Sequence, residues 1–274
     1  MSVGSDAERA AIDRPTVYAI GAISYFAAVL IHEGLGHAGT TMLLGGRVVQ
    51  ITSAACTCDV SALTPWAART VYAGGCIANV LTGMLVLTLE RLVPTTRSTL
   101  RYACWLFGHV SLLIATGYLM VFPFLPAGDW HDFVAGLPNV LAWQLGLTLI
   151  GIVGYVATMQ HAQHGLDVFG GSDPRERAVR ARVLTLGPYL VGGILETLSA
   201  VVGGGGILAL ISAAPATFGG TIGLPIVGRR MSSARGTSAA HGMTLSRSRG
   251  VLVFGWVAAI VQLFWLGPGL LRNH

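Results

Sequence analysis

Six regions of this chain are apolar over lengths that few soluble domains contain. Thr16–Leu44, Ala67–Val93, Arg101–Leu125, Pro138–Gln160 and Val251–Leu271 are each long enough to cross a bilayer, and Val183–Gly228 is longer than one crossing needs. Segments of this kind cross lipid as helices, because a helix satisfies its own backbone polar groups where water cannot. Composition agrees: 53% of the residues are hydrophobic, 11% are charged and the mean hydropathy is +0.66, which excludes a soluble globular domain. The expected fold class is therefore an all-α polytopic membrane protein with 6 or 7 transmembrane helices. Residues 1–15 read as a polar tail and 16–274 as a single integral membrane domain. The tail carries Asp6, Glu8, Arg9, Asp13 and Arg14. It lacks the basic-then-apolar pattern of a cleaved secretory signal, so the first span is expected to stay in the mature protein.

All 17 basic residues are arginine, and they gather in particular loops. That distribution speaks of membrane topology and gives no reason to expect a nucleic-acid partner. A tight turn at Gly203–Gly206 would divide Val183–Gly228 into two spans. With seven spans and the N-terminus inside, fourteen arginines face the inner side and only Arg47, Arg69 and Arg272 face outward; with six spans the contrast falls to ten against seven. Seven spans are thus expected, in a multi-pass protein of a bacterial plasma membrane. Between the first two spans, Arg47-Val48-Val49-Gln50-Ile51-Thr52 is β-prone, and a short strand or hairpin is expected at the membrane surface, where it could line an access path. His161–Arg182 and Gly228–Gly250 read as polar, arginine-rich loops.

Within the first apolar run stands His32-Glu33-Gly34-Leu35-Gly36-His37. Two imidazoles and a carboxylate are costly at membrane depth and call for a compensating partner, of which zinc is the best candidate. Three residues separate Glu33 from His37, one more than in the His-Glu-x-x-His zinc helix. On a regular helix, residues four apart diverge by about 40° and residues five apart by about 140°, so His32 and His37 cannot share an ion from an undistorted α-helix. A π-bulge absorbs the extra residue and returns the fifth position to the same face, a distortion that Gly34 and Gly36 make easy. A third ligand is needed. Asp129 is the best candidate, in Phe122-Pro123-Phe124-Leu125-Pro126-Ala127-Gly128-Asp129-Trp130, where two prolines and a glycine break the third run and can open a cavity. His131 and Asp132 on the same turn are the alternative ligands. His109, earlier on that span, reads as a hydrogen-bonded core histidine.

The six-residue motif resembles the His-Glu-x-x-Gly-His zinc motif of dipeptidyl peptidase III, a soluble enzyme with which only this local solution is shared. Over Tyr25 to Trp130 the chain resembles the site-2-type intramembrane metalloproteases. These have an early zinc helix with His-Glu, then a glycine-rich helix with an asparagine, then an Asp-Gly-containing break in a later span. His32/Glu33/His37, Ala73-Gly74-Gly75-Cys76-Ile77-Ala78-Asn79 and Pro126-Ala127-Gly128-Asp129 match those elements in order, with Trp130 standing where the family has glycine. The resemblance implies a catalytic core over 16–160 and a zinc-dependent peptidase acting on a membrane-embedded segment of a substrate protein. It implies that His32, His37 and Asp129 bind zinc, that Glu33 is the general base and that Asn79 contacts substrate.

Two other classes fit parts of the chain. A non-catalytic metal-binding relative would keep the histidines, and a transporter would use Glu196, an isolated carboxylate in an apolar stretch, with Gly203–Gly206 as a hinge. Cys56 and Cys58 are too close in sequence for an unstrained disulfide and lack a second pair to complete a metal site.

Overall fold

The computed structural model describes residues 12–171, 173–202, 215–233 and 242–270. Six helical stretches among them are long and apolar enough to span a membrane: Arg14–Leu43, Pro65–Glu90, Thr95–Phe124, Val140–Asp167, Pro174–Ala200 and Arg249–Leu266. A two-stranded antiparallel hairpin follows the first of them, so the chain is an all-α multi-pass membrane protein with one small β element.

The first stretch begins with α1 (Arg14–Leu30), capped by Asp13, whose carboxylate accepts from Thr16 N at 3.0 Å, with Pro15 in its first turn. It continues through a π-helix, Ile31–Gly39, into α2 (Thr40–Leu43). The hairpin strands β1 (Arg47–Ile51) and β2 (Cys56–Asp59) pair Arg47 with Asp59 and Ile51 with Cys56, and the register shifts between Val48 and Gln50. Next come α3 (Pro65–Glu90), α4 (Ser98–Val121), the short α5 (Asp129–Val134) and α6 (Val140–Asp167). The remaining helices are α7 (Pro174–Ala181), which runs through a π-turn into α8 (Gly187–Ala200), then α9 (Gly223–Ser233) and α10 (Arg249–Ile260), the last extended by a π-helix to Leu266. Tyr25, Tyr102, Trp105, Leu113, Leu166 and Leu224 form the packed centre of the bundle, while α6 turns Leu145, Leu149 and Val153 outward, as lipid requires.

Hydrogen bonds sort the helix ends into two groups. At one end Asp13 N donates to Leu245 O, Ser98 Oγ to Thr244 O and Arg177 Nε to Met231 O. At the other, Ser53 bonds Ser199 Oγ and Leu266 O, and Arg69 donates to the carbonyls of Phe133 and Ala135. Val202 lies against Gly267 in the second group and Arg229 belongs with the first. Pro215–Gly219 and α9 lie between these segments in the chain and are not among the six stretches long and apolar enough to cross a membrane, so among the described residues six spans are seen where seven were expected. The turn expected at Gly203–Gly206 lies outside the described residues. Twelve of the fourteen described arginines fall at the first end, leaving Arg47 and Arg69 at the other.

The arginine-rich stretch His161–Arg182 departs from expectation: α6 extends to Asp167 and α7 is helical, so only a short connection is left between them. The reason is that its charges are committed. Buried Arg177 pairs with Asp167 and donates to Met231 O, while buried Arg180 pairs with Glu176 and donates to Phe169 O and Met243 O, satisfying carbonyls where segments end.

With the arginine-rich end inside the cell, a reporter introduced as Ser233→Cys in a cysteine-free background should resist a membrane-impermeant thiol reagent until cells are opened. Ser61→Cys, in the loop at the other end, should label on intact cells. Labelling in the reverse order would invert the orientation.

Candidate metal centre

The local chemistry begins with the π-helix. Its i→i+5 bonding brings His37 back towards the face of His32, and the two imidazole centroids stand 4.9 Å apart at 72°. The ligand atoms of His32, Glu33 and His37 all lie within 4.8 Å of one another, the grouping of its kind found among the described residues. Glycine permits the close approach of α3. A Cβ at Gly36 would fall 2.7 Å from Gly75 N, one at Gly74 would fall 2.6 Å from Gly36 O, and one at Gly75 would collide with the His32 ring.

Each imidazole is held from behind. His37 Nδ1 donates to Val71 O at 2.8 Å, which leaves Nε2 as the ring nitrogen turned towards Asp129. His32 Nδ1 faces the amide of Asn79 on α3 at 3.4 Å. Asn79 is fully buried, and its Oδ1 has no hydrogen-bond partner. Turning that amide over would let Oδ1 accept from His32 Nδ1–H, which would cure the orphaned oxygen and free His32 Nε2 as well. A buried acceptor that is satisfied only by the metal-ready tautomer of its neighbour is what a ligand-orienting residue looks like. Asn79 thus sits fully buried beside the His32 imidazole.

The third group comes from the broken end of α4. Pro123 and Pro126 stop that helix, Gly128 turns with φ +102°, and α5 starts at Asp129. A side chain at Gly128 is excluded twice, by its backbone conformation and by Tyr118 Oη, which would stand 2.6 Å from a Cβ. The same hydroxyl accepts from Asp129 N at 3.3 Å and fixes the turn. Trp130 explains its own presence where the resembled family has glycine: it is buried against Ala73, Cys76 and Ala115, with its indole N–H directed at Cys76 Sγ at 3.3 Å, so it anchors α5 on α3. Asp129 Oδ2 then lies 3.5 Å from His32 Nε2 and 3.2 Å from His37 Nε2. Burial alone would raise the Asp129 pKa, but the two facing imidazoles outweigh it and hold the carboxyl below the usual range.

These separations bear on two ways of filling the space. Direct hydrogen bonds to nitrogen cluster at about 2.9–3.0 Å and fade beyond about 3.2 Å. Tetrahedral zinc, with bonds of about 2.0–2.2 Å to nitrogen and oxygen, keeps its ligand atoms about 3.3–3.5 Å apart. The 3.2 Å separation is at the limit of a direct hydrogen bond and the 3.5 Å separation is beyond it, and both also fall near the spacing that zinc ligands keep. Glu33, half-buried and facing the backbone of Cys56, stands beside this triangle.

The other candidates lie elsewhere. Asp132 is exposed and His131 half-buried, and like Asp129 neither belongs to the grouping of His32, Glu33 and His37. His109 is fully buried, bonded to Trp105 O and, at 2.9 Å, to His161. Glu196 is buried with Gln262 donating to it at 2.6 Å. Three further residues border the site, of which Tyr118 had no signal in the sequence and Cys56 and Cys58 had no assigned place. Tyr118 packs edge-on to His32, and Cys56 and Cys58 bring their sulfurs to 3.2 Å on the strand that lies over the π-helix. No family model, curated protein or solved structure matches this chain.

Removing the group behind one imidazole should be felt at the front. Asn79→Ala is expected to weaken zinc binding roughly tenfold to hundredfold, the usual size for a ligand-orienting partner, measured by competition with a chromophoric chelator. Unaltered affinity would mean that the amide does not orient His32.

Proposed function

We propose that this protein is a membrane-embedded zinc-dependent peptidase of the site-2 type, which cleaves a transmembrane or membrane-proximal segment of another protein. The observation that carries the reading is the triangle of His32 Nε2, His37 Nε2 and Asp129 Oδ2, with edges of 3.5 and 3.2 Å, flanked by Glu33 on the same π-turn. His32, His37 and Asp129 would hold the ion as two neutral imidazoles and one carboxylate, with a fourth position open. When bound, zinc polarises a carbonyl oxygen and lowers the pKa of water towards about 7.

The protein's own groups do the rest. Val71 O holds His37 Nδ1 so that Nε2 is the nitrogen turned to the site, and Asn79, with its amide turned over, would do the same for His32. Glu33 is the general base: its carboxylate takes a proton from the attacking water as oxygen adds to the scissile carbonyl carbon, and returns it to the departing amide nitrogen as the C–N bond breaks. One water is consumed, giving a carboxylate and an amine. The substrate must present an extended or unwound stretch, because a helix keeps its peptide groups bonded to one another. The exposed Leu35 and the partly exposed Asp129 leave a side of the site open to such a segment. The arginine asymmetry fits insertion into a bacterial plasma membrane, where basic loops stay in the cytoplasm.

Elemental analysis of the detergent-purified protein should find about one zinc per chain, and His32→Ala or His37→Ala should remove most of it. Glu33→Gln keeps the shape but cannot accept the proton. It should retain zinc while cleavage of a single-pass membrane-protein reporter falls at least about a hundredfold. Bound zinc with no cleavage by the unaltered protein would point to a non-catalytic metal-binding relative. Absence of zinc from the unaltered protein would remove the reading altogether.

A further inference from the structure

Among the described residues, the end of the bundle opposite the candidate metal centre carries twelve arginines against five acids, an excess of positive charge. Among the described residues there, Asp13 caps α1, Asp173 caps α7, Glu90 pairs with Arg101, Asp167 with Arg177 and Glu176 with Arg180. Every acid is engaged, yet Arg14 and Arg175 have no acidic partner and are exposed. These two arginines line a cavity of about 410 Å³, together with Arg180, Glu176, Ile12 and Val179. Its floor is already balanced, since Glu176 accepts from Arg180 Nε at 2.7 Å, so the uncompensated charge is that of Arg14 and Arg175 at the mouth.

The walls define the ligand further. Val179 is 54% exposed beside the two guanidinium groups, and the cavity lies where two apolar spans, Arg14–Leu43 and Pro174–Ala200, begin. That is the level at which a bilayer changes from acyl chains to headgroups. A phosphate there can take charge-assisted hydrogen bonds from arginine while its chains run along the apolar side of the helices. A soluble anion would use the arginines and leave the apolar wall without a role.

We propose that this cavity, between the start of α1 and α7, binds the phosphate of an anionic phospholipid. Arg14 and Arg175 recognise the headgroup, and Val179 and Ile12 receive the glycerol and the upper acyl chain. The site is independent of the metal centre.

Native mass spectrometry of the full chain in detergent, titrated with phosphatidylglycerol, tests the assignment. The protein should bind phosphatidylglycerol in preference to phosphatidylcholine. Arg14→Gln and Arg175→Gln should each weaken binding about fivefold, and the double variant roughly thirtyfold, as expected for the loss of one surface cation at a time. Both positions are exposed, and an unchanged thermal midpoint in lipid-free detergent marks the variants as folded. Arg47→Gln, at the other end, should bind as the unaltered protein does. Equal affinity in the double variant, or displacement of the lipid by equimolar inorganic phosphate, would overturn the proposal; the second result would identify a free-anion site instead.

Discussion

Charge placed at membrane depth must be compensated, and the first half of this structure is arranged around that requirement. His32 and His37 sit on a helix whose neighbours are apolar, and an α-helical path between them would aim the rings apart. The π-turn over Ile31–Gly39 aims them together. Once converged, they need a partner within a few ångströms, and Asp129 is delivered by the only kind of backbone that can reach inward: a helix stopped by proline, reversed at Gly128 and pinned by Tyr118. Asn79 and Val71 then fix the backs of the rings from α3, which can come close because Gly36, Gly74 and Gly75 meet without side chains. Each of these features is costly or pointless alone, and together they form one site.

Much of this could be read from the order of residues. The apolar runs mark the spans to within a few positions, because hydrocarbon thickness sets a minimum length for every crossing. The extra residue between Glu33 and His37 demands a π-turn by simple rotation, and a broken apolar run ending in Asp129 announces a carboxylate with a reason to be there. Other features depend on contacts between distant segments. Asn79 lies 47 positions from His32 and looks like any residue that could touch a substrate; only packing turns it towards the imidazole. Arginine-rich His161–Arg182 reads as a solvated loop because composition cannot show that Arg177 and Arg180 are buried, with their guanidinium groups spent on helix-end carbonyls. Cys56 and Cys58 say little as a pair in sequence and acquire a place only when the hairpin folds over the π-helix.

The two ends of the bundle divide the work. One carries the broken helix, the hairpin and a converging set of donors, with two arginines nearby; the other holds twelve arginines, three of them paired with acids. The first arrangement focuses electron pairs on a point, whereas the second spreads positive charge over a surface at the level of lipid headgroups. Such a polarity fixes how the chain sits in a bilayer and also keeps cationic groups away from the site where a metal ion would be received.

X-ray absorption at the zinc edge, recorded on the detergent-purified protein, addresses the centre most directly because it counts and identifies the atoms around the ion. The predicted spectrum has only nitrogen and oxygen neighbours at about 2.0–2.2 Å, with the multiple-scattering signature of two imidazoles. A sulfur shell at about 2.3 Å would contradict it, because it would move the ion to Cys56 and Cys58 and leave His32, His37 and Asp129 without the role assigned to them.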